Sequence, residues 1–310
     1  MEKESYTKII TDKFSLITDT HFGRTFKEGV PLNRRGEYEN KILDDFGKVL
    51  NEDKSRIFIH AGDLFESPYV SNEVLMNVYT KIIWSKKPLT HYYYLAGNHD
   101  LPKDDDSIAN SSFYILSKLL EKYTNIHFIF EPELVEDDIL LIPYSHKYNV
   151  NDWLDERLNA KVNYVVGHFE DPVPPTLAYY NGQKFSGHFH KQHITYDGTY
   201  FIGSFYPIAF GEESDDSVME TMTLEEYHNR SDEELKDKRV RILLKEGEEL
   251  PVEHSCLQLI GKKEKKDEIN IEVKLEDDFD FRMLFYDCLK NCKKADDLWY
   301  RYLELKGTES

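Results

Sequence analysis

No stretch of the chain approaches the roughly 20 consecutive apolar residues that a membrane-spanning helix needs. The opening segment, Met1 to Lys13, is polar and charged and lacks the apolar core of a signal peptide. Cysteine is scarce. The three present, Cys256, Cys288 and Cys292, are odd in number and form no C-x-x-C, which argues against a disulfide framework. Cys288 and Cys292 stand one helical turn apart, a spacing typical of buried thiols. These absences predict a cytosolic protein, in the host cytoplasm if the source is viral, with no membrane partner. Positive charge is also short: 39 Lys and Arg face 58 Asp and Glu, for a net charge of -19. A free-standing DNA binder carries a basic surface, so the balance counts against tight unaided duplex binding. It does not exclude a nucleic-acid substrate. Bound divalent cations add local positive charge that a residue count misses, and a partner subunit can carry the DNA grip. There is no internal repeat and no low-complexity tract.

What is present points to a folded globular protein. The 310 residues suffice for a large core or two domains, and 21 Tyr with 18 Phe exclude wholesale disorder. One local pattern recurs: a short apolar run followed by a polar cluster. Phe14 to Ile17 precedes Asp19 and His21, and Arg56 to His60 precedes Gly62 and Asp63. His91 to Leu95 precedes Gly97 through Asp100, and Tyr164 to Val166 precedes Gly167 and His168. Lys184 to Ser186 precedes Gly187 through His190, and Thr199 to Ile202 precedes Gly203 and Ser204. The runs are β-branched or aromatic and mostly closed by Gly, as buried strands are. Asn40 to Leu50, Asn72 to Trp84 and Ser111 to Tyr123 carry apolar residues at helical spacing. Strands alternating with helices predict an α/β domain, whose sites gather at the carboxyl ends of strands.

After Gly211 the character changes. Glu212 to Lys238 is acidic and polar and predicts a linker or exposed hairpin. Arg239 to Leu244 and Ile269 to Leu275 predict strands, and Phe281 to Leu305 predicts one or two helices. The expected division is a catalytic domain over 1–225 and a small α/β domain over 226–310.

Taken singly, the polar clusters are weak signals. Asp-x-His arises by chance, Gly-Asp is usually a turn, and a lone buried His is usually a hydrogen-bonded core residue. Together they are Asp19-Thr20-His21, Gly62-Asp63, Gly97-Asn98-His99-Asp100, Gly167-His168 and Gly187-His188-Phe189-His190, each after an expected strand. Imidazole, carboxylate and carboxamide suit Mn, Fe or Zn rather than Ca or Mg alone. Two divalent ions about 3.5–4 Å apart can clamp a phosphoryl group and activate a water between them. A bridging carboxylate offsets their repulsion, and neutral imidazoles complete the coordination. The glycines are expected to let the backbone turn sharply at the strand ends.

In these motifs the sequence resembles the calcineurin-like metallophosphoesterases, over about residues 14–211. Within that superfamily it is most similar to the SbcD nucleases (the meiotic recombination eleven type) and their phage counterparts. His21-Phe22-Gly23, Asp63-Leu64-Phe65 and the stretch Tyr200 to Pro207 carry that finer resemblance. It implies a two-sheet β sandwich flanked by helices, with a C-terminal domain capping the cleft and positioning DNA. It implies Asp19, His21 and His190 on one metal, Asn98, His168 and His188 on the other, and Asp63 bridging, usually with Mn²⁺. His99 is then a general acid facing the scissile phosphate, with Asp100 orienting it. Imidazole suits proton transfer near neutral pH. The resemblance also implies exonuclease and endonuclease activity in recombination and double-strand-break repair, and an SbcC-type coiled-coil ATPase partner; it allows a homodimer. Two positions depart from the pattern. Glu66 stands where many members carry a second His, and Phe205 and Tyr206 separate the Gly-Ser pair from Pro207.

Other histidines have plainer readings. His60 is expected in the core, His91, His127 and His146 are structural, and His228 and His254 lie on the surface. His193, close to His190, could face substrate. Asp104, Asp105 and Asp106 form a solvated loop. Two rival functions share the motifs. A stand-alone metallophosphatase or cyclic-nucleotide phosphodiesterase keeps every ligand, and a non-catalytic scaffold usually loses some.

Overall fold

The computed structural model of the chain describes residues 6–146, 161–169, 175–178, 180–212 and 218–263, together with Leu154. The chain divides into two compact units, Met1–Glu264 and Lys265–Ser310. The second unit lies outside the described residues, and with it the expected strand at Ile269 to Leu275, the helical stretch Phe281 to Leu305, Cys288 and Cys292.

The first sheet contains β1 (Ile9–Ile10), β2 (Phe14–Ile17), β3 (Ile57–His60), β4 (His91–Leu95) and β5 (Ile126–Ile129), in spatial order β1-β2-β3-β4-β5. Only the β1–β2 pairing is antiparallel; β2 to β5 run parallel. The second sheet contains β6 (Glu133–Val135), β7 (Ile139–Ile142), β8 (Tyr164–Gly167), β9 (Gln183–Ser186), β10 (His193–Ile194) and β11 (Thr199–Phe201), in order β10-β11-β9-β8-β7-β6. Its middle strands are parallel, with antiparallel pairs at both edges.

Side-chain alternation explains the layering. On β3, Ile57 and Ile59 point to one face and Phe58 to the other. The first pair joins Phe14, Leu16, Tyr93 and Leu95 in an apolar layer with Ile139, Leu141, Tyr164, Val166 and Phe185 of the second sheet. That layer makes the two sheets a sandwich. Phe58, Tyr92 and Tyr94 face instead the helices α1 (Glu37–Glu52), α2 (Asn72–Ser85) and α3 (Ser112–Leu120), through Phe46, Val49, Val78, Ile82 and Leu116. Strands buried on both faces read as near-continuous apolar runs, as β7 does throughout and as β2 and β3 do but for Ser15 and His60. Helices α2 and α3 start where the Ser71 and Ser111 hydroxyls accept the Val74 and Tyr114 amides, at 3.3 and 3.2 Å.

From residue 218 on, the acidic stretch expected as a linker or hairpin is structured. Strand β12 (Met219–Thr223) is followed by two short helices, Leu224–His228 and Asp232–Leu235. Each helix opens with a reciprocal capping box, Thr223 with Glu226 and Ser231 with Glu234. The Thr-x-x-Glu and Ser-x-x-Glu spacing was the cue, hidden by the acidic composition. Strand β12 pairs in parallel with β13 (Arg239–Leu244), and β13 with β14 (Gln258–Lys263), over a small core of Met222, Tyr227, Leu235, Val240, Ile242 and Leu259.

Candidate metal centre

The loops leaving β2, β3, β4, β8 and β9 converge, and each delivers part of one cluster. Asp19, His21, Asp63 and His188 adopt positive φ, at 52°, 47°, 54° and 84°. Left-handed backbone costs an ordinary residue roughly 1–2 kcal/mol. Among the described residues the other non-glycine cases, Glu136 and Asp137, form the turn between β6 and β7. Hydrogen bonds hold the strain in place. The Asp19 amide donates to Gly62 at 3.0 Å, the His21 amide to Asp63 at 3.1 Å, and the His188 amide to the Asp19 carboxylate at 3.1 Å. Strain gathered on the residues that carry the chemistry is how functional sites are built.

The glycines act differently from expectation. Among the glycines that directly precede the candidate ligands, only Gly62, with φ at 100°, has a backbone conformation other residues avoid. Gly97 and Gly187 matter because other groups crowd them. A Cβ on Gly97 would lie 2.1 Å from the Asp63 amide nitrogen, and one on Gly187 would lie 2.2 Å from Thr18 Oγ1.

The convergence forms two donor sets that share Asp63. In one, His21 Nε2 lies 3.1 Å from His190 Nε2, and Asp19 Oδ1 lies 3.8 and 3.9 Å from those nitrogens. In the other, Asn98 Oδ1 lies 2.9 Å from both His168 Nε2 and His188 Nδ1. Asp63 Oδ2 is 3.3 Å from His168 Nε2 and 3.7 Å from His21 Nε2, so it faces both sets. The far nitrogens of two imidazoles are hydrogen-bonded, and that of a third faces a carboxylate. His168 Nδ1 donates to the Ala61 carbonyl at 2.8 Å, His190 Nδ1 to Glu212 Oε1 at 3.0 Å, and His21 Nδ1 lies 3.0 Å from Glu66 Oε2. Such partners fix the tautomer and leave Nε2 bare toward the cluster.

Electrostatics point the same way. Burial opposes ionising Asp19 and Asp63, yet hydrogen bonding to His21 at the first, and the charge and hydrogen bond of His168 at the second, hold both below the usual carboxylate range. Burial likewise opposes charging His21 and His168. Contacts with Asp19 and Glu66 nevertheless raise His21 to about 10, and Asp63 raises His168 to about 9. Without metal the cluster holds protons where it is built to hold cations.

His99 sits beside these sets, its ring 4.8 Å from that of His21. Its amide donates to Asp63 Oδ1 at 2.8 Å and its Nδ1 to the Glu66 carbonyl at 2.7 Å. Here the structure corrects the sequence. Asp100 was expected to orient His99, but its buried carboxylate accepts the amides of Gly97, Leu64 and Phe65 at 2.9, 3.2 and 2.9 Å. Burial and the nearby Asp63 charge push Asp100 up to about 7. Asp100 ties the loop after β4 to the loop after β3, and the Glu66 carbonyl orients the imidazole.

The remaining histidines divide as follows. His60 is fully buried behind the site, its Nε2 3.1 Å from Thr20 Oγ1, and burial lowers it to about 3. His193 stacks on Phe201 at 4.7 Å, and His91 stacks on His127 at 5.5 Å. Phe205 and Tyr206, the two residues before Pro207, are buried and pack with Tyr6 and Tyr38, so they fill the core rather than face a substrate. Sequence reasoning missed Glu212, which it placed in the acidic linker. Asp105 opens a short 3₁₀ helix, Asp105–Asn110.

Residues 13–198 match the calcineurin-like phosphoesterase family, and the chain belongs to it. Two solved structures are similar to parts of the chain. A nuclease, MPE, from Pseudomonas putida is 15% identical, with a TM-score of 0.34, covering 62% of this chain and 73% of its own. A dimetal phosphatase from Danio rerio is 12% identical, with a TM-score of 0.41, covering 63% and 88%. No curated protein matches the chain. The family implies a metal-dependent phosphoester hydrolase with a dimetal site, and the donors fit one. Asp19, His21 and His190, and likewise Asp63, His168 and His188, each place one donor atom per residue within 4.8 Å of the others. His21, Asp63 and His99 meet the same measure. Among the described residues no helix is long and apolar enough to cross a membrane.

Proposed function

We propose that the chain hydrolyses phosphodiester bonds in DNA as an SbcD-type nuclease. In this reading Asp19, His21 and His190 hold one divalent ion, Asn98, His168 and His188 hold the other, and Asp63 holds both. The observation that carries it is Asp63 Oδ2 lying between His168 and His21, the shared position a bridging carboxylate needs. When bound, a pair of such ions, Mn²⁺ by resemblance, supplies Lewis acidity toward a phosphoryl oxygen and a water of lowered pKa.

The chain's own residues do the rest. Water attacks phosphorus and releases a proton to solvent, the bond to the leaving 3′ oxygen breaks, and that oxygen takes a proton from His99, which solvent then reprotonates. Nδ1 of His99 is committed to the Glu66 carbonyl, so Nε2 is the atom that delivers the proton. The same hydrogen bond keeps the ring from turning away, and the hydrogen bond its main-chain amide donates to Asp63 Oδ1 keeps the residue at the site. The net charge of -19 fits a nuclease whose DNA grip is shared with an SbcC-type ATPase, and a second copy of the chain in a homodimer is compatible with this division of labour. We assign to residues 226–310 the capping and DNA-positioning role.

The test is a substrate panel with Mn²⁺: linear duplex DNA, single-stranded DNA, p-nitrophenyl phosphate, its bis ester and cyclic nucleotides. Cleavage of the DNA substrates supports the proposal. Turnover of small phosphoesters alone replaces it with a phosphatase or cyclic-nucleotide phosphodiesterase.

A further inference from the structure

Glu212 has no part in the scheme above, yet its side chain is built into the site. Oε1 lies 3.0 Å from His190 Nδ1. Oε2 accepts the amides of Ile208 at 2.7 Å and Ala209 at 3.1 Å. The carboxylate is only 15% exposed. We propose that Glu212 is a positioning residue: it fixes His190 as a ligand and so sets the affinity of one of the two ions. The assignment rests on the two-ion reading.

The argument is one of tautomer and reach. A carboxylate accepts the Nδ1 hydrogen and leaves His190 Nε2 with its lone pair, and Nε2 is the atom that faces His21 Nε2 at 3.1 Å. His190 needs such a partner more than His168 does. Its ring is 24% exposed, whereas His168 is sealed, with Nδ1 on a main-chain carbonyl. The loop that carries Glu212 is fastened in turn from β13. The Arg239 guanidinium, 3% exposed, donates to the Pro207 carbonyl at 3.1 Å and the Ile208 carbonyl at 3.3 Å. It also donates to Gln258 Oε1 at 2.7 Å and stacks over Phe26 at 4.1 Å and Tyr38 at 4.6 Å. A chain of contacts therefore runs from the three-stranded sheet to His190.

Glutamine cannot stand in for this glutamate. Both oxygens accept, so an amide would set its own N–H against either Nδ1–H or the two main-chain donors. The test uses the full chain and Mn²⁺ alone, by calorimetric titration and electron paramagnetic resonance. The wild type should bind two ions and give the signature of a coupled pair. E212Q should bind one ion as before and the other about 10–100-fold more weakly, losing the coupled signal at stoichiometric metal. A double-mutant cycle separates positioning from loss of fold: E212Q should add nothing to H190A. An E212Q chain that binds both ions with wild-type affinity overturns the assignment alone, as does an equal further loss in the H190A background. A wild-type chain that takes up fewer than two ions overturns the two-ion reading and this assignment together.

Discussion

Replacing Gly97 with alanine tests the packing of the metal centre without replacing any candidate ligand. The added Cβ would stand 2.1 Å from the Asp63 amide nitrogen and 2.2 Å from Asp63 Oδ1, where ordinary van der Waals contact begins at 3.4 Å. Something must move by about 1.2 Å, the shortfall between those last two distances. The first of the two groups is main chain already held at positive φ, so it cannot swing aside as a flexible side chain would. The move therefore falls on the residue that faces both donor sets. Overpacking of this kind costs roughly 1–3 kcal/mol of stability. A displacement of about 1 Å at a reacting centre can cost on the order of 100-fold in rate. G97A should therefore lower kcat/KM on bis-p-nitrophenyl phosphate or DNA by about 100-fold and loosen at least one ion. Gly198→Ala is the control. Gly198 also has positive φ, at 80°, but nothing lies within 4 Å of its Cβ position. It should destabilise the fold slightly and leave turnover and metal content unchanged. A G97A enzyme with wild-type kcat/KM and full metal content would refute the argument that Asp63 is held against residue 97 for function.

Other expectations follow from the same geometry. His99→Ala should reduce kcat by about 10²–10⁴ with both metals retained, and metal loss on that substitution would count against its role as proton donor. Asp63→Ala should lose metal and activity together, as elemental analysis beside the assay would show; full occupancy would exclude it as the bridge. Folded values of about 10 for His21 and about 9 for His168 lie above the ordinary 6.5. Their protonated forms thus stabilise the metal-free fold fully below about pH 6.5, and that contribution fades as pH rises toward 9 and 10. Ion binding near neutral pH must expel these protons, so titrations in buffers of different ionisation enthalpy should reveal proton release and an affinity that rises with pH. Identical heats in every buffer would contradict it.

The candidate ligands were legible because each stands close after a strand that the sequence marks by itself. His91–Leu95 and Arg239–Leu244 are bounded in the structure as the apolar runs bound them. The family pattern also supplied which residues share an ion, and the distances around Asp63 and Asn98 are compatible with that grouping. What the sequence hid depends on contacts between distant segments. Asp100 adjoins His99, so the simplest expectation linked them, but its partners come from the loop after β3 as well as from Gly97. Glu212 lies 22 residues beyond His190 in an acidic run, and only the turn at Ile208 and Ala209 brings it back. The tight glycines escaped for the same reason: a missing Cβ reveals nothing of what will press against it. Strand β14 ends in Gly261-Lys262-Lys263, which lack the apolar character that marks the earlier strands.

The most direct measurement is anomalous diffraction from crystals of the chain grown with Mn²⁺. Two peaks about 3.5–4 Å apart, with the Asp63 carboxylate between them, are the expected result. A single peak, or peaks away from Asp63, His188 and His190, would contradict the two-ion account.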